Sequence, residues 1–119
     1  MRGGYLLFLE FKEPETLAIG RLGEHAFPAG LYAYAGSALG GIEKRVGRHF
    51  SKSKKKRWHI DHLTDKAEPL DYIAIESEQR IDCDLVEAVE KLGGRHIVRK
   101  FGASDCHCKS HLLYFGGLK

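Results

Sequence analysis

The sequence predicts a single α+β domain built around an antiparallel β-sheet. Three strand-like runs follow one another over short links in the first third of the chain, and from Leu39 the apolar residues recur at helical spacing. The 119 residues are about one domain long, which is enough to form a core without cross-links. Apolar residues make up 43% of the chain and charged residues 29%, so the composition is globular rather than disordered.

The first three strands are predicted from apolar runs that turn residues separate. Residues 5–12 form the first strand, and residues 16–21 form the second, which a turn containing Pro14 joins to the first. Residues 31–35 form the third strand, which ends at Gly36. Because consecutive strands with short links usually lie side by side, the simplest arrangement is an antiparallel meander.

The rest of the chain predicts two helices and shorter elements. The first helix has an apolar stripe of Leu39, Ile42, Val46 and Phe50. Arg45 and His49 are four residues apart and therefore share one face of this helix. A second helix is predicted over residues 81–92. Four of its residues are expected to face the core: Ile81, Leu85, Ala88 and Leu92. A short helical turn, a strand and an edge strand or extended tail are predicted at residues 58–63, 70–75 and 108–115.

Positive charge is concentrated in one segment, from Lys44 to Arg57. This segment holds five lysines, three arginines and no acid, whereas the rest of the chain has 11 basic residues against 16 acidic ones, a formal charge of −5. Such a patch suits a phosphate backbone, because each neutralised phosphate releases condensed counterions. We therefore predict a nucleic-acid partner, with DNA as the leading candidate, and the alternative is a solvated loop. The predicted contacts are Lys44, Arg48, Lys52, Lys54, Lys55, Lys56 and Arg57.

The N-terminus and the cysteines predict an intracellular protein. The apolar run near Met1 is too short for a membrane helix and lacks the cleavage pattern of a secretory signal. Three cysteines, two of them separated by one residue, do not make the framework of a secreted disulfide protein. We therefore expect a soluble, cytoplasmic protein with no membrane partner.

Several short motifs resemble the GIY-YIG nuclease superfamily. They are Gly3-Gly4-Tyr5, Tyr34-Ala35-Gly36, and Arg45 with His49 on the following helix, and both glycine–tyrosine elements are degenerate. The resemblance is closest to an uncharacterised prokaryotic branch, domain of unknown function 123, which is sometimes fused to a base-excision repair glycosylase. The stretches that carry it span nearly the whole chain: residues 30–38, 45–49, 58–63 and 101–108, with His111-Leu112.

The resemblance implies a small antiparallel sheet flanked by helices, with a shallow catalytic face that cuts DNA by metal-dependent phosphodiester hydrolysis. It implies that Tyr5 or Tyr34 orients or deprotonates the attacking water, that Arg45 binds the phosphate, and that His49 relays a proton or contacts a phosphate oxygen. A tyrosine base requires a cation such as Arg45 to lower its ordinary pKa of about 10. The alternative is that the tyrosines pack in the core and the arginine stem covers an apolar stripe.

The same resemblance implies a Mg²⁺ or Mn²⁺ site on the second helix. The superfamily uses a glutamate there, and the matching position holds Asp82, whose side chain is one methylene shorter. Asp84 and Glu87 are the fallback ligands. The alternative is an acidic helix start that complements the helix dipole.

The segment Trp58-His59-Ile60-Asp61 has two possible roles. It can form an accessory site, in which His59 acts as an acid, Asp61 fixes a histidine tautomer and Trp58 stacks on an unpaired base. It can equally be a packed tryptophan with polar capping neighbours. The sequence leaves both open.

The cysteines near the C-terminus raise the question of Zn²⁺. Cys106, Cys108 and His111, together with Cys83 or His107, have the ligand chemistry that zinc prefers, but only one residue separates Cys106 from Cys108, which is less than usual. The alternative is ordinary buried cysteines. The sequence thus leaves three functions open: a nuclease in DNA repair, a non-catalytic nucleic-acid-binding module, and a zinc-stabilised adaptor that docks on a repair enzyme such as a glycosylase.

Overall fold

The computed structural model describes residues 1–51, 58–103 and 108–116 and has an α+β fold. A four-stranded antiparallel sheet has the strand order β5-β1-β4-β6, with β1 and β4 at its centre. These strands are β1 Gly3–Phe11, β4 Gly30–Ala38, β5 Glu68–Glu76 and β6 Leu112–Gly116. The predicted antiparallel sheet is confirmed, and so is the edge position of the last strand.

Two short strands form a separate hairpin beside the main sheet. They are β2 (Glu15–Ala18) and β3 (Glu24–Phe27), which pair with each other and are linked by a 3-10 turn at Gly20–Leu22. The predicted meander is therefore wrong, because β2 does not pair with β1. The nine-residue β1 pairs instead with the nine-residue β4, a partner of matching length that lies later in the chain.

In the part of the chain that the structure describes, three helices cover the two faces of the sheet. They are α1 Ile42–Phe50, α2 His59–Thr64 and α3 Asp82–Lys91. One face packs against α1 and α2 through a large core that includes Tyr5, Leu7 and Tyr34. The other face packs against α3 through a smaller core that includes Ala33, Ala35, Leu85, Val86 and Val89. The prediction of a sheet flanked by helices is confirmed. Within the described residues no helix is long and apolar enough to cross a membrane.

The inward faces of the two longer helices differ from the predicted ones. In α1, Leu39 and Phe50 are exposed, because the helix begins only after Gly41 and its last inward position holds His49 instead of Phe50. In α3 the buried set is Asp82, Leu85, Val86 and Val89, so Ala88 and Leu92 face solvent. In each helix the predicted and the observed inward residues both recur at helical spacing. Packing against the sheet decides which of the two sets is buried.

Gly36 does not end the third predicted strand but lies within β4, directly opposite Tyr5 of β1. The ring of Tyr5 lies so close to Gly36 that a Cβ atom at that position would overlap the ring. Glycine within a strand often marks such a close approach. The missing side chain at position 36 therefore makes room for Tyr5 on the face of the sheet that α1 covers.

Candidate functional site

A cavity of about 200 Å³ lies where the centre of the sheet meets α1, α2 and the start of α3. It brings together four residues that the sequence singled out on separate elements: Tyr5 of β1, Tyr34 of β4, Arg45 of α1 and Asp82 of α3. Trp58, His59 and His111 line it too. The remaining lining residues are Gly36, Ser37, Arg80 and Gly102.

Tyr5 and His49 form a buried hydrogen-bonded pair beside this cavity. The Tyr5 hydroxyl lies 2.6 Å from His49 Nε2, and both side chains are almost completely inaccessible to solvent. The ring centre of Tyr34 is 6.4 Å from that of Tyr5 and 5.9 Å from that of His49. At the observed hydroxyl–imidazole distance a proton can pass between the two groups.

Burial dominates the acidity of both tyrosines. It raises the pKa of Tyr5 well above its ordinary value of about 10, although the charge and hydrogen bond of Arg45 act in the opposite direction. Burial also raises the pKa of Tyr34, and the nearby Tyr5 raises it further. The condition for a tyrosine base, a net lowering of its pKa, is therefore not met. At neutral pH both hydroxyls carry their protons.

Arg45 is held in the cavity wall by contacts on two sides. Its Nη1 donates a hydrogen bond to the backbone carbonyl of Ser37 at 3.0 Å, near the end of β4. Its guanidinium carbon lies 4.4 Å from the ring centre of Trp58, a cation–π contact. These contacts fix the side chain while the guanidinium still lines the cavity, so Arg45 is placed to meet an anion there.

Arg48 and Asp61 form an internal ion pair behind Trp58. Arg48 Nη2 lies 2.8 Å from Asp61 Oδ2, and the same oxygen accepts a hydrogen bond from the backbone N–H of Trp58 at 2.9 Å. The Asp61 side chain is 0% exposed and that of Arg48 is 22% exposed. Asp61 thus caps the start of α2 and joins it to α1, which is the structural role that the sequence left open for this segment.

The remaining predicted nucleic-acid contacts divide into two groups. Lys44 is exposed and, with Arg45, Arg48 and Trp58, lines a second hollow that adjoins the cavity. The others lie outside the described residues: Lys52, Lys54, Lys55, Lys56 and Arg57. The described part of the basic segment therefore borders the cavity.

Asp82 is the one carboxylate among the described residues that line the cavity. Its Oδ2 accepts a hydrogen bond from Arg80 Nη2 at 2.9 Å, and its Oδ1 accepts one from the backbone N–H of Cys83 at 3.1 Å. Burial alone would raise the pKa of Asp82, but the hydrogen bond from Arg80 and the charge of His111 lower it below its usual value. Asp82 is therefore ionised at neutral pH. The fallback ligands Asp84 and Glu87 are exposed on α3, away from the cavity lining.

His59 fastens α2 to the turn at Gly102. Its Nδ1 accepts a hydrogen bond from the Gly102 backbone N–H at 2.7 Å, so this nitrogen carries no proton. Burial, followed by the charge of His62, lowers the pKa of His59 below its ordinary value of about 6.5. Protonation of the ring would disrupt the contact, so His59 is neutral at neutral pH in the folded protein.

This neutral histidine predicts a pH-dependent stability. Below about pH 6.5 the unfolded chain binds a proton at His59 that the folded chain does not, so the free energy of unfolding falls as the pH drops towards the folded pKa. We expect the His59→Gln variant to lose less stability than the wild type between about pH 7 and pH 5 in urea titrations. Equal slopes for the wild type and His59→Gln would contradict the assignment.

Cys83, Cys108 and His111 lie close together and could bind a metal ion, since their ligand atoms are all within 4.8 Å of one another. The sulfur atoms of Cys83 and Cys108 are in contact as a disulfide pair. The sequence predicted an edge strand or extended tail over residues 108–115, but the chain bends between Cys108 and His111, and β6 begins only at Leu112. Cys106 and His107 lie outside the described residues.

Sequence reasoning missed several residues of the cavity wall. Arg80 precedes α3 and contacts Asp82 two residues later, a local pairing that the sequence could have suggested. Gly102 has a φ of 69° and lies next to Tyr34 and His111, where a Cβ would meet both side chains. Its proximity depends on contacts between distant segments, which no local pattern shows.

Comparison with known proteins identifies one family. The sequence model described as Domain of unknown function DUF123 matches residues 4–118. No curated protein and no solved structure matches the chain.

Proposed function

The chain belongs to the DUF123 family of domains of unknown function, and on that premise we propose that it hydrolyses phosphodiester bonds in DNA with the help of Mg²⁺ or Mn²⁺. The observation that carries the proposal is the meeting of Tyr5, Arg45 and Asp82, from three different elements, in one cavity. We also propose that the chain is related to the GIY-YIG nucleases. The pairing of Tyr5 with Gly36 supports it, because this pairing joins the two glycine–tyrosine elements across neighbouring strands.

Arg45 is the proposed phosphate ligand. A guanidinium offers a planar set of donors that matches two phosphate oxygens. Ser37 and Trp58 hold Arg45 in the cavity wall, so little motion is needed on binding. Donors that are fixed before the reaction stabilise the charge that develops on the phosphate in the transition state.

Tyr5 and His49 are proposed to handle the proton of the attacking water. The raised pKa of Tyr5 prevents it from acting as a free phenolate. Its hydroxyl can accept a proton from water only while it passes its own proton to His49 Nε2, which lies 2.6 Å away. Tyr34, with its raised pKa, is proposed as a hydrogen-bond donor that orients the water or the phosphate.

Asp82 is the proposed ligand of the divalent cation. The fit rests on its ionised carboxylate in the cavity wall, since Mg²⁺ is commonly held by one or two carboxylates together with waters and substrate phosphates. When bound, the ion would lower the pKa of a water and offset charge on the leaving oxygen. Arg80 shares the same carboxylate and keeps it in place.

A non-catalytic nucleic-acid-binding module is the second candidate. Two observations favour it: both cavity tyrosines are neutral, and the one carboxylate of the described lining already pairs with Arg80. In this case Arg45, Lys44 and the basic segment hold a DNA strand without cutting it.

Cleavage of branched, nicked and single-stranded DNA by the wild-type protein tests the proposal. We expect strand scission with Mg²⁺ or Mn²⁺ and none with EDTA, and we expect Asp82→Asn to lower the rate to background. Asp84→Asn is the matched control, because it makes the same change on an exposed residue of the same helix. Salt-sensitive binding without scission would reject the nuclease and support the binding module.

A further inference from the structure

We propose that Cys83, Cys108 and His111, in the reduced protein, form a binding site for a thiophilic divalent cation, with Zn²⁺ as the best fit. Two thiolates and one imidazole are the ligands that zinc prefers, whereas Mg²⁺ and Mn²⁺ prefer oxygen. All three ligand atoms lie within 4.8 Å of one another. This site is chemically distinct from the carboxylate site proposed at Asp82.

The sequence spacing of the ligands also suits zinc. Cys108 and His111 are separated by two residues, which is a usual spacing for a ligand pair, and Cys83 completes the set from the first turn of α3. In the sequence, the single residue between Cys106 and Cys108 was an argument against a zinc site. That argument does not apply to the ligands Cys83, Cys108 and His111, because Cys106 is not one of them. The contact with Cys83 depends on the fold, because 25 positions separate it from Cys108.

His111 lies between Cys83 and Asp82, with one ring nitrogen towards each of them. Its Nε2 lies 3.7 Å from Cys83 Sγ, and its Nδ1 lies 3.8 Å from Asp82 Oδ2. The side chain is 2% exposed. A carboxylate on the far nitrogen of a metal-bound histidine is the usual arrangement, since it fixes the tautomer and strengthens the metal-binding nitrogen. At 3.8 Å the Asp82 carboxylate does not hydrogen-bond this nitrogen, and we expect the two atoms to close to hydrogen-bond distance when the ion binds, which makes Asp82 the positioning residue for this site.

The proposal concerns the reduced form, because a disulfide offers no thiolate to a metal. The closeness of Cys83 and Cys108 allows either state, and the redox state of the compartment selects between them. A bound ion would join the start of α3 to the segment that leads into β6. These three ligands leave one tetrahedral position for a water molecule or a further residue of the chain.

Metal titration of the reduced, metal-free protein tests the proposal without any DNA. We expect one equivalent of Zn²⁺ to bind, and Co²⁺ in its place to give thiolate-to-cobalt charge-transfer absorption. Cys108→Ser and His111→Gln should each abolish that absorption or weaken it strongly, whereas His25→Gln, the same change on β3, should leave it intact. Asp82→Asn should weaken metal affinity about 10- to 100-fold, and Asp84→Asn should not.

Two results would overturn the proposal. One is reduced wild-type protein that takes up no more zinc than the Cys83→Ser/Cys108→Ser double variant, and this comparison does not require any single-ligand variant to fold. The other is Co²⁺ binding without charge-transfer absorption, which would mean that the ion does not contact sulfur. Neither result bears on DNA cleavage, so this inference and the proposed nuclease can fail separately.

Discussion

Replacing Arg45 by alanine is expected to lower the rate of DNA cleavage on the order of 100- to 1,000-fold while the protein stays folded. The guanidinium lines the cavity, and its fixed position means that its donors are in place before the reaction. Loss of one such donor to a developing negative charge is known to have an effect of this size. The prediction rests on the proposed nuclease function.

The measurement is single-turnover cleavage with protein in excess, which separates chemistry from substrate binding. Arg45→Lys should recover only part of the rate, since lysine keeps the charge but lacks the planar fork. Arg21→Ala, an exposed arginine on the 3-10 turn, is the matched control. If Arg45→Ala cut DNA as fast as Arg21→Ala does, the cavity would not be the catalytic site.

Replacing Arg48 by alanine is expected to lower the free energy of unfolding by about 1.5–3 kcal/mol, the usual contribution of a hydrogen bond to a charged group. The partner carboxylate of Asp61 is 0% exposed, so removal of the guanidinium takes away a charged hydrogen-bond donor that lies 2.8 Å from a buried oxygen, where water is excluded. This loss is much larger than for an ion pair at the surface, where water solvates each charge. The expected result assigns Arg48 a structural role in addition to any contact with nucleic acid.

Urea unfolding of four variants tests this role. Asp61→Asn keeps an oxygen that can accept the Trp58 N–H but removes the charge, so Arg48→Ala should cost far less in that background. Lys12→Ala is the matched control, because Lys12 pairs with Glu68 at 3.3 Å while both side chains are mostly exposed, and its loss should cost about 0–1 kcal/mol. Equal losses for Arg48→Ala and Lys12→Ala would show that the buried pair does not support the fold.

The elements of the fold were predictable where local pattern decides them. The apolar run of β1 and the helical spacing around Val46 identified their elements correctly. The pairing of the strands was not predictable, because β1 pairs with β4, and hairpin formation by β2 and β3 removes the nearer candidate. Gly36 was wrongly predicted to end a strand. Position 36 needs glycine because the ring of Tyr5, on another strand, occupies the space of a Cβ atom, and the local sequence does not show this.

The candidate site was likewise predictable in part: its residues were, but their electrostatic state was not. Tyr5, Tyr34, Arg45 and Asp82 were identified through motif resemblance, and all four line the cavity. Their electrostatic state could not be predicted, since the raised pKa of the tyrosines depends on how deeply the folded chain buries them. The sequence offered Cys83 only as an alternative to His107 in the group with Cys108 and His111, because its inclusion requires α3 and the segment before β6 to meet.

Because Tyr5 lies opposite Gly36 in the sheet, the residue at the first position restricts which residue the second can hold, although the two are far apart in the chain. A relative that keeps tyrosine at the first position can accept only glycine at the second, unless its ring moves away from the histidine on α1. A relative without this tyrosine has no such need for the glycine. Family members that keep the tyrosine should therefore carry glycine at the second position, and this dependence can be checked by sequence alone.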